Sequence, residues 1–586
     1  MDASVKTAGE CTEAGRGDLK EGEAASCAQS SRGCCQKCVP GFIPTVYRNE
    51  LVQLFKLAGP VVISQLMVFM IGFVSTVFCG HLGKTELAAV ALSIAVVNVT
   101  GISIGTGLSL TCDTLISQTY GSGNLKRVGV ILQRGVLILL LACFPCWAIL
   151  INTEPLLLAV KQSPEVASLS QLYVKIFMPA LPAAFMYQLQ GRYLQNQGII
   201  WPQVITGAIG NVFNAIINYV LIHQLDLGVA GSAAANAISQ YLLAAVLFIY
   251  MYLRGLHKAT WAGWSLDCLQ EWGPFVKLAV PSMLMLCLEW WMFEVGGFLA
   301  GVISEAELGA QSITYELSII AYMFPLGFAG AASVRVGNAL GAGNIEQAKL
   351  SSKVPIICAF IIACFVSAIF CACKNVIGYI FTSELDILQR VSDIMLVFGF
   401  LHLGDAVAGV TGGVVRGVGK QSVGALCNLI GYYFIGLPTG VSLMFAAEMG
   451  VVGFWTGLTV CVFVQSIFFI TFLCRLDWKK AAEEAKVRAG VRVKEEKDTI
   501  KMENRDSNHI QTPISTIASS GESAGVDHVY MEVQIPEESK TTNTTTVGDV
   551  LSVSQLLLRR GLAILIMILI LAAGIITNTV LTPLLK

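Results

Sequence analysis

Long apolar runs alternate with short polar connections over most of the chain. Between about residues 50 and 475, twelve runs of roughly 20 residues follow one another, each long enough to cross about 30 Å of hydrocarbon as a helix. A thirteenth run, Gly561 to Leu581, comes after Arg559 and Arg560. The pattern predicts an all-α polytopic membrane protein. The first twelve predicted spans lie near residues 55–79, 86–110, 128–152, 170–190, 202–223, 230–252, 274–301, 307–331, 354–373, 389–411, 422–446 and 450–474.

Two polar stretches lie outside these runs. Residues 1–45 are rich in Gly, Ser, Glu and Cys and lack the hydrophobic region of a signal peptide, which predicts a cytosolic tail. Residues 476–555 carry charge and runs of Thr, Ser and Asn with few aromatics, which is typical of a disordered loop. Residues 556–586 then form the predicted C-terminal membrane helix.

Basic residues in the predicted loops favour one orientation. Alternate loops hold most of them, and by the positive-inside rule this predicts a cytoplasmic N-terminus and a cytosolic 476–555 loop. The richer set is Lys126, Arg127, Arg134, Arg192, Arg254, Lys258, Arg335, Lys349, Lys353, Arg416 and Lys420. The poorer set is Lys84, Lys161, Lys175, Lys374 and Arg390.

The chain repeats itself at an offset near 221 residues. Phe55-Lys-Leu-Ala-Gly-Pro60 returns 221 positions later as Val276-Lys-Leu-Ala-Val-Pro281. Glu86-Leu-Ala-Ala89 returns at the same offset as Glu307-Leu-Gly-Ala310. We therefore predict two tandem copies of one six-helix unit.

The predicted halves are an N-lobe, residues 50–255, and a C-lobe, residues 270–475. Because each copy has an even number of spans, the two share an orientation, as in parallel-repeat transporters with a site near the midplane. Prolines within the apolar runs are candidate kinks for alternating access. They are Pro179, Pro182, Pro281 and Pro325.

Composition narrows the function classes. A hydrophobic fraction of 55% and a mean hydropathy of +0.68 agree with a membrane protein, and a net charge of −1 gives no basic field for nucleic acid. Gly83-Lys84-Thr85 is not a nucleotide-binding loop, because Phe78 stands where such a loop needs glycine. We expect no cofactor and no metal site. We also expect free thiols, with acylation or metal binding as alternatives for Cys27, Cys34, Cys35 and Cys38 of the tail.

Four carboxylates interrupt the apolar runs of the second half. Placing an Asp at the centre of a membrane helix costs at least about 2.5 to 3.5 kcal/mol, so each one needs a reason. The matching first-half positions are Val68, Phe73, Ala95 and Ala184, so the fold itself does not require carboxylates there. We interpret the four as cavity-lining groups. They are Glu289, Glu294, Glu316 and Asp405.

Aromatic residues surround these carboxylates. Aromatic faces attract organic cations by about 0.5 to 2 kcal/mol each, although helix packing is an equal alternative for any single ring. Glu289 and Glu294 are separated by about 140° around an ideal helix, so one is expected to bind and the other to relay. The candidate aromatic ligands are Trp290, Phe293, Tyr315 and Tyr322.

The same carboxylates suit proton coupling. A buried carboxylate, especially beside a second one, holds a proton more readily than one in water. A proton and an organic cation that compete for it are exchanged across the membrane without a nucleotide. His402 is a candidate partner for the Asp405 proton, with a hydrogen-bonded core role as the alternative. Asp113 is expected at a helix end or gate.

Several segments resemble the multidrug and toxin extrusion (MATE) family, most closely its vertebrate members. The resemblance covers roughly residues 45–480 and the final span. The matching segments are Cys112-Asp-Thr-Leu-Ile-Ser-Gln-Thr-Tyr-Gly121, Pro281-Ser-Met-Leu-Met-Leu-Cys-Leu-Glu-Trp-Trp291, Glu307-Leu-Gly-Ala-Gln311, Tyr315-Glu316, Ala331-Ala-Ser-Val-Arg-Val-Gly-Asn-Ala-Leu-Gly-Ala-Gly343, Gly431-Tyr-Tyr433 and Gly436-Leu-Pro438.

The resemblance implies a V-shaped pair of six-helix lobes that export organic cations, including cationic drugs, in electroneutral exchange for protons. It further implies a plasma-membrane location, apical in excretory epithelia, and functional roles for the four carboxylates, with Gln65 and Asn98 contributing from the first lobe. Two departures stand out. Asp405 stands where vertebrate relatives usually have Glu. Many prokaryotic relatives have an Asp in the first span, and the nearby polar residue of this chain is Gln65.

Other functions remain open or are excluded at this point. A sodium-coupled exporter and a lipid flippase are alternatives on the same fold. A membrane receptor would have seven spans and no tandem repeat. An enzyme would need a metal or nucleophile constellation, which the sequence does not contain, so we predict a transporter whose partners are organic cations, protons and the lipid bilayer.

Overall fold

The computed structural model describes residues 44–79, 82–492, 542–548 and 550–585. The chain divides into Met1–Arg48 and Asn49–Lys586, and the described part of the first unit is only the start of the first helix. The predicted tail, with Cys27, Cys34, Cys35 and Cys38, therefore lies almost wholly outside the described residues.

Within the described residues, thirteen helices are long and apolar enough to cross a membrane, as the hydropathy pattern predicts. They are numbered here as spans in chain order. The spans are Thr45–Cys79, Thr85–Gly121, Leu125–Leu150, Pro164–Gln195, Trp201–Gln224, Gly228–Leu253, Trp272–Ile303, Glu305–Gly341, Ile345–Cys373, Leu385–Val418, Gln421–Ala446, Val451–Arg475 and Val553–Pro583.

The eighth and tenth spans form the interior of the second half. They are the most buried of the C-lobe helices, and glycine allows their backbones to approach closely. A Cβ added at Gly413 would lie 2.3 Å from the Ala329 carbonyl oxygen, so only glycine fits this crossing. This pairing brings two of the predicted carboxylate-bearing helices into direct contact.

Local irregularities interrupt several spans. A wider π-helical turn occurs at Asn98–Ile102, and similar turns at Tyr219–Gln224 and Ser442–Ala446 lie close to one repeat offset apart. A tighter turn at Met178–Ala180 breaks the fourth span at Pro179. In contrast, Pro281 and Pro325 lie inside continuous helices. Such turns are frequent near functional sites, and the first of them begins at Asn98.

The thirteenth span packs against the third. Asn152 donates a hydrogen bond to the Gly574 carbonyl at 2.9 Å, and Asn578 donates one to the Ile151 carbonyl at 2.9 Å. Gly574 permits the contact, because a Cβ there would lie 2.7 Å from that of Ala148. At the other end of the span, the Arg560 guanidinium lies 4.3 Å from the centre of the Trp272 ring. The last span is therefore fixed at both ends.

The structure differs from the predicted 476–555 loop at its two ends. Trp478–Arg488 is a helix that buries Ala481, Ala482 and Ala485. Strand β1, Val491–Arg492, pairs antiparallel with β2, Thr542–Asn543. The charged composition concealed this helix, since its buried side chains are small alanines; residues 493–541 lie outside the described part of the chain.

Several basic residues assigned to loops lie inside helices instead. Arg134, Arg192 and Arg416 are buried within the third, fourth and tenth spans. Each has a carboxylate partner, as a buried guanidinium requires: Glu271 for Arg134 and Asp113 for the other two. These residues must be removed from the positive-inside comparison.

Candidate functional site

The seventh span presents its two glutamates to different neighbours, as their angular separation predicts. Glu289 lies among groups of the eighth and tenth spans, whereas Glu294 lies beside Glu316. Both glutamate side chains are partly buried. The four carboxylates of the second half therefore form two separate groups rather than one.

The first group is centred on Glu289. The Tyr322 hydroxyl is a hydrogen-bond partner of the Glu289 carboxylate, and Asp405 lies close enough to interact with it electrostatically. Gly409, one turn after Asp405, makes room for Tyr322, because a Cβ at this position would lie 2.7 Å from the hydroxyl oxygen. Tyr432, buried in the eleventh span, adjoins the same carboxylates. We call Glu289, Tyr322, Asp405 and Tyr432 the enclosed group.

The second group is more accessible. Glu316 is exposed on the protein surface, and Glu294 beside it is partly buried. The Tyr315 ring stacks on Phe293 with centroids 5.4 Å apart, and Phe293 also meets Trp455 at 5.9 Å. We call Glu294, Glu316, Phe293 and Tyr315 the accessible group. It offers both negative charge and aromatic faces.

Trp455 is held in place by a buried hydrogen bond. Its indole N–H donates to the Gln311 side-chain oxygen at 2.6 Å. Gln311 belongs to the eighth span and Trp455 to the twelfth, so the bond fixes the Trp455 ring on which Phe293 packs. This aromatic residue was not predicted from the sequence, because nothing near position 455 distinguishes it from an ordinary packing residue.

The remaining predicted residues occupy varied positions. Trp290 and Gln65 are partly buried in the seventh and first spans, and Asn98 is exposed at the start of its π-helical turn. That turn contacts the seventh span, since the Trp291 indole N–H donates to the Val99 carbonyl at 3.0 Å. The structure thus brings Asn98 beside the carboxylate-bearing helix from the opposite half.

His402 does not form the predicted link to Asp405. Neither ring nitrogen has a hydrogen-bond partner in the described structure, and the ring packs on Phe398 with centroids 5.6 Å apart. Three residues along a helix place two side chains on neighbouring faces, and here the imidazole turns towards the aromatic core. His402 is therefore a core residue in this structure.

Asp113 lies where the two halves meet. Its carboxylate is fully buried, 3.6 Å from Arg192 of the first half and 3.7 Å from Arg416 of the second. The sequence placed Asp113 at a helix end or gate, and the structure adds the two arginines that compensate its charge. The same end of the second span donates a hydrogen bond from Gln118 to the Gly417 carbonyl at 2.8 Å.

Comparison with known proteins confirms the repeat. The family model described as MatE matches residues 60–220 and 281–441. The second match begins and ends 221 residues after the first, which is the offset predicted from the sequence landmarks.

Whole-chain relatives carry consistent names. Multidrug and toxin extrusion protein 1 of Danio rerio is 65% identical over 563 residues, covering 96% of this chain and 95% of that protein. The Homo sapiens protein of the same name is 52% identical over 542 residues, covering 91% and 94%.

Solved structures agree on the fold. The crystal structure of the eukaryotic MATE transporter AtDTX14 aligns with a TM-score of 0.73 at 29% identity, covering 76% of this chain and 99% of that chain. The Vibrio cholerae MATE transporter VcmN in its bent form aligns with a TM-score of 0.63 at 18% identity, covering 76% and 100%, and supports the fold alone. With two matched repeats, thirteen spans and these relatives, the chain belongs to the MatE family of multidrug and toxin extrusion transporters.

Proposed function

We propose that the chain is a secondary active exporter that exchanges protons for organic cations, including cationic drugs and toxins, across the plasma membrane. Its transport step uses no cofactor, and the proton is the coupling ion. The N-terminus and the 476–555 loop face the cytoplasm. In an excretory epithelium the exporter belongs in the apical membrane.

The observation that carries this proposal is that the four carboxylates of the second half lie in two separate clusters, the accessible group and the enclosed group. The accessible group, with Glu294, Glu316 and the stacked rings of Phe293 and Tyr315, suits an organic cation that arrives with its hydration shell. The enclosed group, with Glu289 bonded to Tyr322 and close to the buried Asp405, suits a proton because two neighbouring carboxylates hold a proton more readily than one alone.

Coupling follows from competition between these charges. A cation in the accessible group lies one to two helical turns from Glu289, where its charge disfavours a proton on the enclosed group. Protonation of the enclosed group in turn lowers the negative charge that attracts the cation. Each ligand therefore expels the other, which is the requirement for exchange.

The test is cation uptake into liposomes that contain the purified chain and an acidic lumen. We expect radiolabelled tetraethylammonium to enter in sodium-free buffer, to follow the outward proton gradient and to stop when the gradient is collapsed. A matched control replaces the pH gradient with a sodium gradient at equal pH on both sides.

Two outcomes would contradict the proposal. Uptake that follows sodium and ignores the pH gradient would assign the chain to sodium-coupled export. Loss of leaflet asymmetry of a fluorescent lipid, without cation uptake, would assign it to lipid translocation. Addition of valinomycin at equal potassium should leave the rate unchanged if the exchange is electroneutral.

A further inference from the structure

A buried charge cluster joins the two halves of the chain. Asp113 of the second span is fully buried and lies 3.6 Å from the Arg192 guanidinium and 3.7 Å from that of Arg416. Asn196 adds a donor 3.3 Å from the other carboxylate oxygen. Because Arg416 belongs to the tenth span, this is an ion pair between halves in a site with little water, where charge interactions are strong.

Backbone contacts fix the position of Arg416 at this junction. The Thr114 hydroxyl donates to the Arg416 carbonyl at 2.5 Å, and the Gln118 amide donates to the next carbonyl, that of Gly417, at 2.8 Å. Gln421 in turn donates to the Thr114 hydroxyl. The first half thus contacts two consecutive carbonyls at the end of the tenth span and the first residue of the eleventh span.

The same tenth span leads from this junction to the enclosed group. Asp405 and Arg416 are eleven residues apart, which returns a helix to within about 20° of the same face. Between them, Gly412 leaves space that is occupied by the Met285 methyl group, 2.7 Å from where a Cβ would be. Met285 precedes Glu289 by one turn of the seventh span.

Arg416 has a second carboxylate within electrostatic range. Besides Asp113, 3.7 Å away, its guanidinium interacts electrostatically with Glu289 and Tyr322. One positive charge therefore acts both on the carboxylate at the junction of the halves and on a carboxylate of the enclosed group. The other titratable groups that face Glu289 are Tyr315 and Tyr322 of the eighth span, Asp405 of the tenth, Tyr432 of the eleventh and Cys461 of the twelfth.

We propose that Arg416 is a positioning residue that links the charge of Glu289 to the contact between the two halves through Asp113. This inference rests on the proposed proton exchange. When Glu289 is anionic, it attracts the Arg416 guanidinium and weakens the ion pair between Arg416 and Asp113. When Glu289 carries a proton, this competition ends, the ion pair is stronger and the contact between the halves is more stable at this end.

The test is the pH dependence of tetraethylammonium uptake in charge variants. Arg416→Gln removes the cation beside Glu289, so Glu289 should take its proton in less acidic solution and the midpoint should rise by roughly one pH unit. Asp113→Asn leaves the Arg416 charge less compensated, so the midpoint should fall by a smaller amount. Opposite shifts from the two ends of one ion pair are the expected signature.

Three controls separate this role from a purely structural one. Arg416→Lys keeps the charge and should keep the wild-type midpoint. Arg488→Gln removes a contact between the first half and the helix after the twelfth span, since Arg488 donates to the Gln118 side-chain oxygen at 2.6 Å, and should slow transport without moving the midpoint. The double variant Asp113→Asn with Arg416→Gln restores charge balance, so it keeps the test available if a single variant fails to fold. Its midpoint should lie between those of the single variants.

The inference is overturned if Arg416→Gln and Asp113→Asn lower the rate with unchanged midpoints, or if both midpoints move in the same direction. A double variant as far from wild type as Arg416→Gln alone would also overturn it. These results are distinguishable from failure of the proposed function, because in that case wild-type uptake itself would not respond to pH.

Discussion

The two halves share a fold but fill their interiors with different chemistry. In the first half, Ser75 donates to Asn236 at 2.7 Å, and Asn236 donates to the Tyr173 hydroxyl at 2.6 Å. Asn218 and Asn214 extend this network to Ser75 and Ser239. In the second copy, Gly296 and Ile394 stand 221 positions after Ser75 and Tyr173, and Leu458 stands 222 positions after Asn236.

The second half has the opposite arrangement. Its enclosed and accessible groups carry four carboxylates, whereas the matching first-half residues are Val68, Phe73, Ala95 and Ala184. Amides and hydroxyls donate and accept hydrogen bonds but do not titrate near neutral pH, unlike carboxylates in a dry site. We call Ser75, Tyr173, Asn214, Asn218, Asn236 and Ser239 the neutral frame of the first half. Under the proposed exchange, the titratable groups are instead the carboxylates of the second half.

The largest expected effect comes from Glu289→Gln, which preserves the shape of the side chain and removes its charge. We expect proton-driven tetraethylammonium uptake to fall to the level of liposomes without protein, because the enclosed group no longer exchanges a proton. Glu86→Gln, in the first half, is the matched control and should retain uptake. Near-normal transport by Glu289→Gln at equal protein content would contradict the division between halves.

A smaller effect is expected from Tyr322→Phe, which keeps the ring and removes the hydroxyl bonded to Glu289. A hydrogen bond to a charged group contributes about 1.5 to 3 kcal/mol, so uptake should fall by about tenfold or more. The measurement is the initial rate across a series of pH gradients. Tyr433→Phe, at a partly buried neighbour in the eleventh span, is the control. Equal losses in both variants would show that the hydroxyl at 322 has no special role.

Asn236→Ala probes the neutral frame of the first half. It leaves Ser75 and Tyr173 without a shared partner in a buried site, which should cost about 1 to 3 kcal/mol of stability. We expect a lower thermal unfolding temperature in detergent with an unchanged pH midpoint for uptake per folded molecule. A moved midpoint would place proton chemistry in the first half as well.

The smallest expected effect belongs to Glu484→Gln in the helix that follows the twelfth span. The hydrogen bond from Lys420, at 2.8 Å, and the charges of Lys420 and Arg488 hold the pKa of Glu484 below its ordinary value. Because this pKa is lower in the folded state, the ionised Glu484 stabilises the fold at pH values above the unfolded-state pKa of about 4.3. That stabilisation is lost as the pH falls through the folded-state pKa. Because the pair is partly exposed, its contribution should be at most about 1 kcal/mol.

The measurement is thermal unfolding of wild type and Glu484→Gln from about pH 7 down to about pH 3.5, which gives the contribution of ionised Glu484 to stability. The wild type should be slightly more stable at neutral pH, and the difference should shrink in acid. A difference that grows in acid would contradict the assigned sign.

The sequence predicted the fold more completely than the site. Apolar run lengths and the offset between Pro60 and Pro281 define thirteen spans and two copies, because both are periodic along the chain. The helix Trp478–Arg488 escaped prediction because its buried face consists of alanines within a charged segment.

Within the site, the four carboxylates could be named from their cost in a membrane, but their grouping could not. Which of Glu289 and Glu294 meets Tyr322 depends on helix crossings that Gly409 and Gly413 permit, and these contacts join residues far apart in sequence. Arg416 resembled a loop charge because it lies two residues from the end of its helix. Only the partner Asp113, about three hundred positions earlier, reveals its burial.

The most direct test of the division between halves is proton release on cation binding by the purified protein in weakly buffered detergent solution. Tetraethylammonium added to the wild type should release protons, and Asn236→Ala should release the same number per folded molecule. We predict no release from Glu289→Gln under the same conditions. Release from Glu289→Gln equal to that of the wild type, or its loss in Asn236→Ala, would contradict the placement of the exchangeable proton in the second half.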